Sequence, residues 1–159
     1  VNEAARISQN GNTLRDSRAA LRRSLLATGH RCTEQREAVH EVLWGMRTHP
    51  TAEEIFHAVR ARVPAVSLAT VYKALEAFAS AGVCLKLTQG DGPARYDIRT
   101  DEHHHLKCVD CGRLVDVEGP PLHEWLAAID TSDEFEILGG RLVLEGRCGD
   151  CLSGKPALA

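Results

Sequence analysis

Four of the six cysteines fall into two Cys-x-x-Cys pairs, Cys108/Cys111 and Cys148/Cys151, with residues 112–147 between them. Each pair lets one tight turn present two sulfurs to the same ion, and four thiolates make a closed tetrahedral set for structural Zn(II). A redox dithiol or buried free thiols are weaker readings of this pattern. The spacing exceeds that of a simple zinc ribbon, so a strand and a helix are expected between the two halves. The C-terminal part of the chain must therefore fold so that residues 108 and 148 meet. Cys32 and Cys84 are left over and read as small apolar packing residues.

Upstream of the cysteines the periodicity is helical. Residues 1–13 are polar and read as a loose arm, after which Leu14, Leu21 and Leu25 share a helical face up to Gly29. A second helix is expected from Thr33, with Val39, Val42, Leu43 and Met46 as its stripe. Thr51 and Glu54 are spaced as a capping box before Ala52, Ile55, Phe56 and Val59, and Pro64 closes that third helix. Ser67 starts a fourth, which buries Val71, Leu75 and Phe78 and stops at Gly82. The stretch "VCLKLTQGDGPARYDI" has two strand-like runs about a Gly/Pro turn, a hairpin.

Three or four short helices followed by a hairpin is the order of a winged helix-turn-helix, with the fourth helix as recognition helix. Small Ser67, Ala69 and Thr70 at its start let backbone N–H groups approach phosphate, and Tyr72 and Lys73 lie off its apolar stripe. A plain amphipathic helix with a solvated face fits that helix equally well; helix order, hairpin and charge together favour DNA. The net charge of −3 conceals a split: residues 1–92 carry 12 Lys+Arg against 9 Asp+Glu, whereas residues 93–159 carry 7 against 13.

After residue 100 the pattern changes to the strands "HHLKCV" and "RLVDVE", a helix around Leu122–Ile129, and "RLVLEGRC". The fold class is α+β: an N-terminal winged helix-turn-helix over 14–92, a hinge at 93–102, and an α/β dimerisation and metal-binding domain over 103–159. No window approaches the ~20 apolar residues of a membrane span, and the start lacks the order of a secretory signal. The expected location is the cytoplasm, with no membrane association.

The run "DEHHHLKC" carries a second set of potential ligands. In a strand, His103 and His105 project to one face and His104 to the other. Asp97 and Asp116 are near enough in sequence to add carboxylates, and imidazoles with carboxylates suit Fe(II), Mn(II) or Zn(II) better than Cu(I). The same ligands would also serve a small non-haem metalloenzyme, or simply be solvated. A zinc deaminase is excluded, because Lys107 precedes Cys108 where that chemistry has Pro, and no His-x-Glu occurs.

Taken together, "HPTAEEIF", "SLATVYKALEAFASAGV", "HHHLKCVDCGRLVDV" and "GRCGDC" resemble the ferric uptake regulator family of bacterial metalloregulators, in order, from about residue 14 to 151. The resemblance implies a homodimer that binds an AT-rich palindrome in promoter DNA and represses transcription when metal is bound, with no catalytic residues. By position it makes Tyr72 a base contact, Lys73 a phosphate or base contact, and Cys108, Cys111, Cys148 and Cys151 the zinc site. His49, Asp97, His103, His105 and Asp116 match the regulatory Fe(II) or Mn(II) ligands of the peroxide-sensing branch. In that branch iron-catalysed oxidation of a ligating histidine, here His49 or His103, releases DNA. Iron-sensing members usually carry Glu at the two Asp positions, and zinc sensors commonly have Cys at the first; iron or zinc sensing is the alternative. A further metal site would draw on Glu102, His104 and His123, although Gly140 stands where a histidine is often found.

Overall fold

The computed structural model describes residues 14–154 apart from 47, 89–91, 128, 130–136, 138 and 139. The expected N-terminal arm and the tip of the hairpin lie outside the described residues. The chain divides into two compact units, one through Thr100 and one from Asp101 onward. The segment 93–102, expected to be a hinge, thus contains both the last strand of the first unit and the boundary.

The first unit comprises α1 (Leu14–Ala27), α2 (Glu34–Gly45), α3 (Ala52–Arg60), α4 (Leu68–Ser80), β1 (Leu85–Leu87) and β2 (Arg95–Asp97). Its helices begin where the side-chain caps require. The Thr33 and Ser67 hydroxyls accept from the amides of Arg36 and Thr70, and Thr51 and Glu54 form the reciprocal capping box. Gly29 and Gly82 end α1 and α4 in the left-handed region, φ 74° and 66°, with the amides of His30 and Val83 returning to the carbonyls of Leu25 and Phe78. Met46, the last residue of the second stripe, caps α2 in an extended conformation and packs half-buried against the core.

Leu21, Leu25, Val39, Leu43, Ile55, Val59, Val71, Leu75 and Phe78 are fully buried together, each contributing roughly 1.5–3 kcal/mol of apolar burial. β1 and β2 pair antiparallel, Leu85 opposite Asp97, and Tyr96 and Cys84 join the core. Cys32 packs half-buried against the core, and its thiol donates to Glu37.

A histidine sits inside this core. His40 on α2 is buried, meets Ser17 Oγ of α1 at 3.0 Å, and lies against Trp44 and Phe78. Burial, reinforced by the nearby Arg18 charge, pushes its pKa down from 6.5 to about 4. Between those values the unfolded imidazole binds a proton that the folded one does not, so stability falls as pH drops through that window. On lowering the pH from 7 to 5, the zinc-loaded protein is expected to lose about 2 kcal/mol more than a His40→Leu variant in urea unfolding. Equal losses would show that His40 is not held neutral.

The second unit holds β3 (His104–Cys108), β4 (Leu114–Val117), α5 (Leu122–Leu126), β5 (Val143–Gly146) and α6 (Gly149–Leu152). Its sheet runs β4-β3-β5, antiparallel on one side of β3 and parallel on the other. Register does the positioning: His105 stands opposite Asp116, and Cys108 opposite Gly146, two residues before Cys148. α5 stops at Leu126, short of the expected Ile129; its N-cap, Pro121, offers no side-chain hydrogen bond. Among the described residues of this unit, Cys108 and Leu114 are the buried hydrophobic ones, whereas Val109, Trp125, Ile129, Ile137, Leu144 and Leu152 are exposed. No helix among the described residues is long and apolar enough to cross a membrane.

Candidate metal centres

Cys108 ends β3, and the chain turns back through Cys111 and Gly112, whose φ of 71° requires a residue without Cβ strain. Cys148 is the N-cap of α6 and Cys151 lies within it. The four sulfurs cluster, with Cys111 Sγ and Cys148 Sγ 3.8 Å apart. Two thiolates on a tetrahedral ion with Zn–S near 2.3 Å stand about 3.8 Å apart, so the spacing fits zinc. The Cys148 amide donates to Cys108 Sγ at 3.3 Å. That bond, with a second from the Cys111 amide, pulls the Cys108 thiol down to about 6. Cys151 is pushed the other way, chiefly by donating to Cys148. The backbone thus stabilises one thiolate; holding four together calls for a cation.

The histidines and aspartates are arranged within each unit. In the first, His49 Nε2 lies 3.6 Å from Asp97 Oδ2, both side chains being buried. His49 is the one non-glycine with positive φ among the described residues, at 52°, a conformation that costs of order 1 kcal/mol or more unless its surroundings impose it. In the second, His103 Nδ1 donates to the Asp101 carbonyl at 2.8 Å, which puts the ring's lone pair on Nε2. His103 Nε2 and His105 Nε2 approach to 3.1 Å, and Asp116 Oδ1 lies 3.6 and 3.8 Å from them. Nitrogen and oxygen ligands about 2.1 Å from one ion stand roughly 3.0–3.5 Å apart; the two imidazoles fall in that range and the carboxylate just beyond it, and a donor set without sulfur suits Fe(II), Mn(II) or Zn(II).

His104 points away from this group, as alternation requires. It is buried, its Nε2 donates to the Pro120 carbonyl at 2.6 Å, and a Cβ on Gly119 would come within 3.0 Å of its ring. Glu102 accepts from the Leu122 amide at 2.6 Å, and His123 is exposed. Among the described residues Glu102, His104 and His123 do not form a cluster of potential ligands; each of the first two carries a backbone hydrogen bond instead. Gly140 is exposed and lies near Leu122.

On α4, Ser67 and Thr70 hydroxyls bond each other at 2.8 Å, Ala69 and Lys73 are exposed, and Tyr72 is 39% exposed. The Tyr72 hydroxyl donates to Glu53 Oε1 of α3 at 2.6 Å, which raises the phenol's pKa and lowers the carboxyl's. One helical turn further, Glu76 pairs with Lys86 of β1. Neither Glu53 nor Asp101 stood out in the sequence. Asp101 acts through its carbonyl, which any residue would supply.

A helix-turn-helix unit joined to a β-rich unit that carries a four-thiolate cluster and a His/Asp cluster has the parts of a metal-dependent DNA-binding protein. Residues 27–145 match the ferric uptake regulator family, and the chain belongs to it, which makes it a metal-dependent DNA-binding repressor rather than an enzyme. Over 128 residues it is 37% identical to the peroxide-responsive repressor PerR of Staphylococcus aureus, covering 80% of this chain and 86% of that one. The Helicobacter pylori ferric uptake regulator, described as having three functional metal-binding sites, superposes with a TM-score of 0.74 at 25% identity, covering 89% of this chain and 95% of its own. The Pseudomonas aeruginosa ferric uptake regulator with manganese gives 0.65 at 26%, covering 84% and 98%.

Proposed function

We propose that the chain is a peroxide-sensing repressor of promoter DNA, acting as a homodimer in the cytoplasm. The observation that carries this reading is the donor set: imidazoles with aspartate at both carboxylate positions, His49 beside Asp97 and His103 with His105 beside Asp116. In this reading all five hold one regulatory Fe(II) or Mn(II), while Cys108, Cys111, Cys148 and Cys151 hold Zn(II). A ligand set drawn from both units lets metal favour one arrangement of the dimer over others, which is the differential contact that allostery requires. Ser67, Ala69, Thr70, Tyr72 and Lys73 are the DNA-contacting residues, on a palindrome of AT-rich sequence.

The apolar exposure of the C-terminal unit supports a second copy as its cover. Trp125, Leu144 on β5, an edge strand among the described residues, and Leu152 are surface residues of one chain and are suited to an isologous interface. Bound Fe(II) supplies the reduction of peroxide. The residues' part is to hold His103 by the Asp101 carbonyl and His49 by its strained turn beside the ion, so that oxygen added to either imidazole removes a ligand.

The test is a mobility shift on an operator selected from random duplexes with the Mn(II) protein. The Fe(II) form is expected to lose the operator after peroxide, with one oxygen added at His49 or His103 in peptide mass spectra, while the Mn(II) form stays bound. An Fe(II) form that stays on DNA unmodified would indicate an iron- or zinc-responsive regulator instead.

A further inference from the structure

The strained turn at His49 is met by a side chain from the hairpin, Arg95. Arg95 NH1 donates to the His49 carbonyl at 2.9 Å and lies 3.7 Å from Glu54 Oε2, the same oxygen that accepts the Thr51 amide at 2.6 Å in the α3 capping box. The backbone around it is fastened to β2 as well: Thr51 bridges Arg95, and the Tyr96 amide donates to the Pro50 carbonyl at 2.9 Å. Asp97, the carboxylate beside His49, is two residues further along the same strand. The guanidinium therefore meets the carbonyl of one candidate ligand, the first turn of α3 and, through its own strand, the other ligand.

From this geometry we infer that Arg95 is a positioning residue for the regulatory metal: it holds His49 in its left-handed conformation so that the imidazole faces Asp97. A carbonyl in that conformation is turned out of ordinary strand or helix pairing, and a charged donor is the strongest partner it can be given. The carboxylate of Glu54 fixes the guanidinium in turn. Groups that orient ligands without touching the ion commonly change metal affinity by about tenfold to a hundredfold. The inference rests on the proposed ligand role of His49 and adds a residue outside the ligand set.

The experiment compares Mn(II) binding, by isothermal titration calorimetry of the zinc-loaded protein, for wild type, Arg95→Gln, Arg95→Lys, His49→Ala and the double variant His49→Ala/Arg95→Gln. Arg95→Gln is expected to weaken Mn(II) binding about tenfold or more, and Arg95→Lys, which keeps a charged donor, to recover part of it. On the His49→Ala background the Arg95 change should lower affinity no further, and saturating Mn(II) should return Arg95→Gln to wild-type operator binding. Hydrogen exchange at the Tyr96 amide should quicken in Arg95→Gln while zinc content stays unchanged. If His49→Ala weakens Mn(II) binding and Arg95→Gln does not, or if the two losses add in the double variant, the positioning role is wrong. If His49→Ala itself leaves affinity unchanged, it is the ligand role of His49 that fails. A defect in operator binding that saturating Mn(II) does not repair would assign Arg95 to DNA contact or folding instead.

Discussion

Removing Zn(II), by chelation or by Cys108→Ser, is expected to unfold the C-terminal unit and abolish dimerisation while α1–α4 remain folded. The reason is where the apolar residues are. Among the described residues the hydrophobic cluster lies wholly in the first unit, from Leu21 to Tyr96, whereas the second unit buries Leu114 and Cys108 and leaves Trp125, Ile129, Ile137, Leu144 and Leu152 exposed. A three-stranded sheet of that kind has little area of its own with which to offset chain entropy. The thiolate cluster ties the end of β3 to α6 across the intervening residues, and structural zinc in small domains supplies about 10–16 kcal/mol of apparent folding free energy. Circular dichroism with sedimentation velocity checks this: strand signal and dimer should vanish together, and helix melting should persist. A chelated protein that keeps both would show that packing alone holds the unit.

The second large effect concerns His103. His103→Ala is expected to weaken Mn(II) binding at least about a hundredfold, more than any outer-shell change, while zinc content and thermal melting stay close to wild type. Its Nε2 lies 3.1 Å from His105 Nε2 and 3.6 Å from Asp116 Oδ1, so in the proposed site its loss removes a ligand. The fold tolerates the change because His103 precedes β3 and contributes no ladder pairing. Calorimetric titration with Mn(II), alongside zinc analysis, separates the two sites. Unaltered affinity would remove His103 from the regulatory set.

Much of this arrangement is written locally in the chain. The two Cys-x-x-Cys pairs, the capping box at Thr51 and the split of the histidine triplet all depend on spacings of one to four residues, which local geometry converts directly into structure. Register is different. Nothing near His105 specifies Asp116 as its neighbour, and nothing near Cys108 specifies a parallel partner beginning at Val143; those pairings follow from how the whole sheet packs. α6 was not expected because four residues carry no periodicity, and α5 ends at Leu126, three residues before the end its apolar pattern suggested. Arg95 and Asp101 act on or through backbone carbonyls, and a carbonyl leaves no trace in residue identity. Glu102 and His104 read as ligands by type, yet each satisfies a backbone group near the start of α5.

In the proposed function, one regulatory ion with ligands from both units sets the DNA-binding form. Operator binding measured by fluorescence anisotropy as Mn(II) is raised, for wild type and for His49→Ala, tests it most directly. Wild type should move from weak, nonspecific binding to tight operator binding as Mn(II) saturates, with the steep salt dependence of phosphate contacts. His49→Ala should retain its zinc and its dimer but need at least about tenfold more Mn(II) for the same occupancy. Superimposable curves for the two proteins, or tight operator binding by wild type without Mn(II), would contradict it.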